Sequence, residues 1–156
     1  MNKSIILTVV LLFNIPFLSY ASTNKWCGFD DIYVGMPASA AKSLGFNKCT
    51  PSKVFKGDVC TSTTNKYQTF SGEKIKQLEV GYQNNKVIGI SVITFSGGDK
   101  NIVGKMSKTY GRPYKKGGNW SQGYASWLKG DKFITMSMDT GTNDIYFCYD
   151  PEKKNK

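Results

Sequence analysis

The chain predicts an α+β fold: two tandem αβββ units forming an antiparallel sheet, with helices packed on one face and two disulfides. Three observations lead there. Two short helical segments end alike, Lys42-Ser43-Leu44-Gly45 and Lys108-Thr109-Tyr110-Gly111. Two later stretches, "VGYQNNKVIGISV" and "ASWLKGDKFITMSM", align as strand, polar turn, lysine, strand. Four cysteines follow a segment that reads as an export signal. The units span about residues 30–95 and 97–150.

Residues 1–21 read as a signal peptide. Lys3 precedes an apolar run from Ile5 to Leu18, and Ser19-Tyr20-Ala21 gives a small-x-small cleavage pattern. At about fourteen residues the run is short for a bilayer core, so no membrane span is expected. Residues 22–150 then form one domain in a periplasmic or secreted setting, long enough to bury roughly two-thirds of its unfolded surface. The tail, 151–156, is short and charged and reads as disordered.

The first helix is expected over Pro37 to Leu44. Proline suits the first helical turn and Gly45 the position after the end. The second runs from Asp99, its cap, to Tyr110. Ile102, Val103, Met106 and Tyr110 share one face, and Gly111 and Pro113 stop it. Strands follow the first helix at Lys53–Cys60, Gln77–Gln83 and Val87–Phe95. The last two flank Asn84-Asn85, a turn that tolerates positive φ. After the second helix come Trp120–Leu128, Phe133–Asp139 and Asp144–Tyr149, with Gly130-Asp131 as the matching turn. Alternation in "VIGISVITF" and "KFITMSMD" implies half-buried antiparallel strands. The first unit is longer by a cystine loop and by the polar stretch Thr61–Lys74.

Cys27, Cys49, Cys60 and Cys148 allow three connectivities. Cys49 and Cys60 close the local loop "CTPSKVFKGDVC", and Cys27 and Cys148 bracket nearly everything else, so 49–60 with 27–148 is the preferred pairing. Free thiols or a metal site are the alternatives. With no CxxC and no histidine, no metal and no cofactor are expected.

Cationic residues number 21 and acidic residues 11; losing Lys3 with the leader leaves +9. Arg112 is the only arginine, which argues against bidentate recognition of phosphate. A diffuse lysine field fits an acidic protein partner or anionic envelope polymers, or simply solvates exposed faces. The lack of histidine removes Ser-His-Asp and Cys-His chemistry. Asp30-Asp31 is the one adjacent acid pair, but neighbouring side chains point apart, so it reads as a polar lead-in to the first helix. Glu79 reads as half of a cross-strand ion pair. Gly97–Lys100 reads as loop and cap, because its aspartate opposes anion binding.

The candidate binding residues cluster in "NWSQGYASWLKG" and the basic turn before it. Trp120 and Tyr124 fall on one strand face and Trp127 on the other. An open face carrying such aromatics beside Lys115, Lys116 and Lys132 would suit a protein interface. Single-stranded nucleic acid could use the same ingredients, but an exported protein rarely meets it, so no nucleic acid is expected.

The segment Ile32-Tyr33-Val34-Gly35-Met36-Pro37, opening a helix that closes on Leu44-Gly45, resembles the signature of SmpA/OmlA-type outer-membrane assembly proteins. The doubled unit with a cystine loop in its first copy is similar to the beta-lactamase inhibitor protein fold. Pro37 stands where those families carry a capping Thr or Ser, and the lipid-acceptor cysteine is missing. The resemblance implies two helix-plus-sheet repeats presenting a sheet face to an enzyme, and transfers no functional residue. The function expected is therefore non-catalytic: a secreted or periplasmic binding protein, an inhibitor or immunity-type factor acting on an envelope-associated protein. The alternatives are an envelope accessory or phage-exclusion factor binding anionic polymers, and a carboxylate-based hydrolase.

Overall fold

A computed structural model describes residues 25–95, 102–118 and 122–149. The leader, the Asp99 cap, Trp120 and the 151–156 tail lie outside the described residues. A 3-10 turn at Lys25–Cys27 leads into the small hairpin β1 (Gly28–Phe29) and β2 (Ile32–Tyr33). Helix α1 is Ala38–Ser43. Then come β3 (Phe46–Ser52), β4 (Gly57–Ser62), β5 (Thr69–Phe70), β6 (Glu73–Gln83) and β7 (Lys86–Phe95). Helix α2 is Ile102–Tyr110. The chain ends with β8 (Lys115–Gly118), β9 (Gly123–Lys129), β10 (Lys132–Asp139) and β11 (Thr142–Phe147).

These strands make a nine-stranded antiparallel sheet in the order β3-β4-β6-β7-β11-β10-β9-β8, with β5 alongside β6. The architecture is mostly β, and this corrects the predicted α+β class. The helices are six and nine residues long and form no layer over the sheet. Each of the two predicted units supplies four strands to the long path instead of three. The extra strands are β3 and β8, the two edges. Their sequences, "FNKCTPS" and "KKGG", are exposed along almost their whole length and so carry no apolar alternation. Lysine, proline and glycine suit an edge strand, which must resist pairing with other chains.

One face of the sheet is apolar. Val80, Ile90, Val92, Ile145, Phe147, Ile134, Met136, Ala125 and Trp127 are buried there. Burying a side chain of this size contributes about 1.5–3 kcal/mol. Short segments cover the face. Ile102 and Met106 of α2 and Ala38 and Ala41 of α1 join the core. Between them runs a chain of aromatic contacts: Trp26–Tyr110–Phe147–Phe70–Phe29–Tyr67–Phe46, at centroid distances from 5.4 to 6.2 Å. Aromatic rings from short segments and from the ends of α2, β3 and β11 thus do much of the work expected of a helical layer, since each brings a large apolar area on a short stretch of chain. Burial pushes the Tyr82 and Tyr110 phenols up to about 12. Within the seam between β7 and β11, buried Asn143 donates to Thr94 Oγ1 at 3.2 Å, so neither polar group is stranded.

Local signals explain the turns. Asn84 and Asn85 adopt φ of 50° and 58°, as a tight hairpin with right-handed strand twist requires. Gly111, at φ 84°, closes α2 with its N–H on the Ser107 carbonyl. Both disulfides form, Cys27–Cys148 with Cα atoms 5.2 Å apart and Cys49–Cys60 at 4.0 Å. In the chain-entropy account the long bridge stabilises by about 4–5 kcal/mol and the short one by about 3. Among the described residues no helix is long and apolar enough to cross a membrane.

Candidate binding face

The second face of the sheet has a different character. Side chains alternate along each strand, so the partners of the core residues point the other way. Register places Lys48, Thr61, Glu79, Ser91, Tyr146, Thr135, Ser126 and Lys115 in one row across β3, β4, β6, β7, β11, β10, β9 and β8. A parallel row holds Gln77, Ile93, Asp144, Ser137 and Tyr124.

Among the described residues this outer face is covered at one place. Gly81 and Gly89 are directly opposed on β6 and β7. Their missing side chains leave a socket for Phe55, which the β3–β4 turn lays over them. Tyr149 packs beside it, with ring centroids 4.5 Å apart, and its hydroxyl bonds the Val54 carbonyl. A β-carbon on Gly89 would come within 2.7 Å of the Phe55 ring and of the Tyr149 β-carbon, so glycine is required by the close approach. Elsewhere large apolar groups are bare. Tyr124 and Leu128 are each 51% exposed and Phe95 44%, all on this face by register. Next to Tyr124 lies an open depression of about 390 Å³, walled by Gln122, Ser137 and Asp139.

The predicted binding residues separate accordingly. Tyr124 and Lys115 come together on the outer face. The Tyr124 ring lies over Gly117 of the neighbouring strand, and Lys115 sits opposite Ser126. Lys116, on the same edge strand, alternates to the other side; it is exposed. Lys132 starts β10 opposite Lys129 and is half-buried. Trp127 is corrected from binding residue to core residue. It is fully buried, and its indole N–H donates to the Gly111 carbonyl at 2.9 Å, pinning the end of α2 to the sheet. The alternation that exposes Tyr124 necessarily turns Trp127 inward. Trp120 lies outside the described residues.

Two acidic readings also change. Glu79 forms no ion pair among the described residues; it accepts a hydrogen bond from the Gln77 side-chain amide two residues away. Its cross-strand neighbours are Thr61 and Ser91, neither of them charged. Asp31 is more than a polar lead-in. Its carboxylate accepts from the Tyr67 hydroxyl at 2.7 Å and from Lys66, fastening the β1–β2 hairpin to the 66–67 segment. Partial burial pushes the Asp31 carboxyl up, but the Lys66 and Tyr67 hydrogen bonds outweigh it and hold the group below its usual range. Burial and the adjacent Asp31 together push the Tyr67 phenol upward.

Reading the sequence alone missed the carboxylate and hydroxyl centre of the outer face. Asp144 is held above the usual carboxylate range by burial first and by Asp139 second, against a compensating pull from Lys76. The Tyr146 phenol is raised by burial and then by Asp144 and Glu79. The period-two polar positions of "KQLEVGYQ", "GISVITF" and "NDIYF" carried the signal. Only the strand order shows that the three sets share a row.

Compared with family models, curated proteins and solved structures, the chain matches none.

Proposed function

We propose that this is a non-catalytic binding protein of the periplasm or extracellular space, which docks another protein on the outer sheet face as an inhibitor or immunity-type factor. The observation that carries the reading is the exposure, among the described residues, of Tyr124, Leu128 and Phe95 on one face of a sheet stapled by two disulfides. Aromatic and aliphatic anchors on a rigid platform bind with little loss of conformational entropy. Export through the leader and oxidation of the cysteines agree with each other. The absence of histidine leaves acid–base catalysis without its usual agent.

Charge favours a protein over an anionic polymer at this face. Glu79, Asp139 and Asp144 stand among Lys48, Lys76 and Lys115, so acids as well as lysines line the face. The test is capture from envelope extract on the oxidised mature protein at moderate salt, beside a Tyr124→Ala/Leu128→Ala variant. A protein retained by the first and lost by the second supports the reading. Retention of acidic polymers alone, released steeply by salt, refutes it.

A further inference from the structure

The centre of the outer face is acidic although the chain carries a formal charge of +10. Glu79 comes from β6, Asp144 from β11 and Asp139 from the end of β10. Asp139 and Asp144 are diagonal neighbours, because Ser137 pairs with Asp144 and Asp139 with Thr142. Two ion pairs exist among the described residues, Lys66–Asp31 and Lys105–Glu73, and neither uses these three acids. The cation nearest the cluster is Lys76, whose ammonium also lies 6.0 Å from the centre of the Phe95 ring.

A second observation is independent of the carboxylates. Ser91 stands between Glu79 and Tyr146 in the cross-strand row. It is 1% exposed, and its Oγ makes no hydrogen bond of regular geometry. The hydroxyl reaches the Tyr146 phenol oxygen as a donor, which favours the phenolate slightly, while among the described residues no donor is bonded to its own lone pairs. A buried hydroxyl left in that state costs about 1–3 kcal/mol, which a donor arriving from outside would recover. Three acids beside a single cation, Lys76, are a similar unmet demand.

We propose that the Glu79–Ser91–Tyr146–Asp144 cluster is the seat for one cationic side chain of the docked partner, an arginine in preference to a lysine. The inference rests on the docking reading above. A metal ion fits less well, since among the described residues no group of three ligating side chains converges. A planar guanidinium presents five donors, enough to engage a carboxylate and the Ser91 hydroxyl together, whereas an ammonium is a point charge. Exposed Phe95 and Tyr124 flank the acids and offer faces on which a guanidinium can stack. Lys76 becomes the resident competitor that the partner's cation displaces. The contact chemistry of this face is therefore cationic, opposite to the acidic partner that overall composition favours.

The experiment is an amide-resolved NMR titration of the disulfide-intact mature protein. The probe is N-acetyl-arginine amide, and the control is its neutral isostere N-acetyl-citrulline amide. The expected result is shifts confined to the amides around Ser91, Thr135, Asp144 and Tyr146, with arginine only. Affinity should fall about fivefold or more in Glu79→Gln/Asp144→Asn, a loss of about 1 kcal/mol. It should rise about twofold in Lys76→Ala, which removes the competing charge. Equal shifts with citrulline, shifts scattered over the surface, or unchanged affinity in the double variant would each overturn the seat. Those results leave the docking face standing if capture still depends on Tyr124 and Leu128. Capture indifferent to those two residues sinks the docking face instead.

Discussion

The two faces of one sheet are made by alternate residues of the same strands, and they solve opposite problems. On the inner face Val80, Ile90, Ile145, Ile134 and Trp127 vanish under aromatic rings and two short helices. On the outer face their neighbours Glu79, Ser91, Tyr146, Thr135 and Ser126 form a polar row over which, among the described residues, only the Phe55–Tyr149 cap is laid. The difference teaches which positions the demand for stability fixes and which it leaves free. The inner face is fixed by the demand to bury apolar area. The outer face has no such demand, yet it keeps exposed aromatics, a buried hydroxyl and three acids whose nearest cation is Lys76.

The strongest way to break this division is a pair of changes four positions or fewer apart on β9. Trp127→Ala should lower stability by about 3–5 kcal/mol, through the cavity and the lost bond to Gly111. Tyr124→Ala should change it by about 0.5 kcal/mol or less. Denaturant unfolding of both variants tests this, and similar losses would dissolve the distinction between faces. A smaller effect is expected where the outer face is capped. Gly89→Ala should cost about 1–3 kcal/mol by crowding Phe55 and Tyr149, and should open the 53–56 turn to proteolysis. An uncut turn at unchanged melting temperature would show that the cap does not depend on the glycine socket.

The weakest effects carry opposite signs. Asp31 has a lowered carboxyl, so its contribution is present at neutral pH and fades as pH falls through that lowered value. Asp31→Asn should therefore lose stability at neutral pH, by less than about 1 kcal/mol given its exposure, with the gap closing in acid. Asp144 has a raised carboxyl, so ionising it costs stability once pH rises past the unfolded value. Asp144→Asn should gain slightly at neutral pH, again by less than about 1 kcal/mol, and match the parent in acid. Thermal unfolding against pH checks both. Two shifts of the same sign would mean that the outer acids are as well supported as Asp31.

Much of this was readable in particular residues. Asn84-Asn85 announced its hairpin, Gly45 and Gly111 the helix ends, and the cysteine spacing its preferred pairing. The edges were not readable, because β3 and β8 are exposed almost throughout and carry no period to detect. Nor was the mostly-β class, since two helices looked long enough to form a layer and are not. Trp127 was misplaced as a binding residue because an aromatic beside lysines looks alike in sequence whether it faces in or out.

Composition and local pattern alone determined an acid–base toolkit without imidazole, the turn positions and the alternation within each strand. These depend on residue identity and on neighbours a few positions away. Tertiary pairing decided the rest. Only the meeting of β7 with β11 sets Glu79, Ser91 and Tyr146 side by side, residues that lie up to 67 positions apart. Strand register is a long-range choice, fixed by which apolar faces can be buried together, and the outer face inherits its chemistry from that choice.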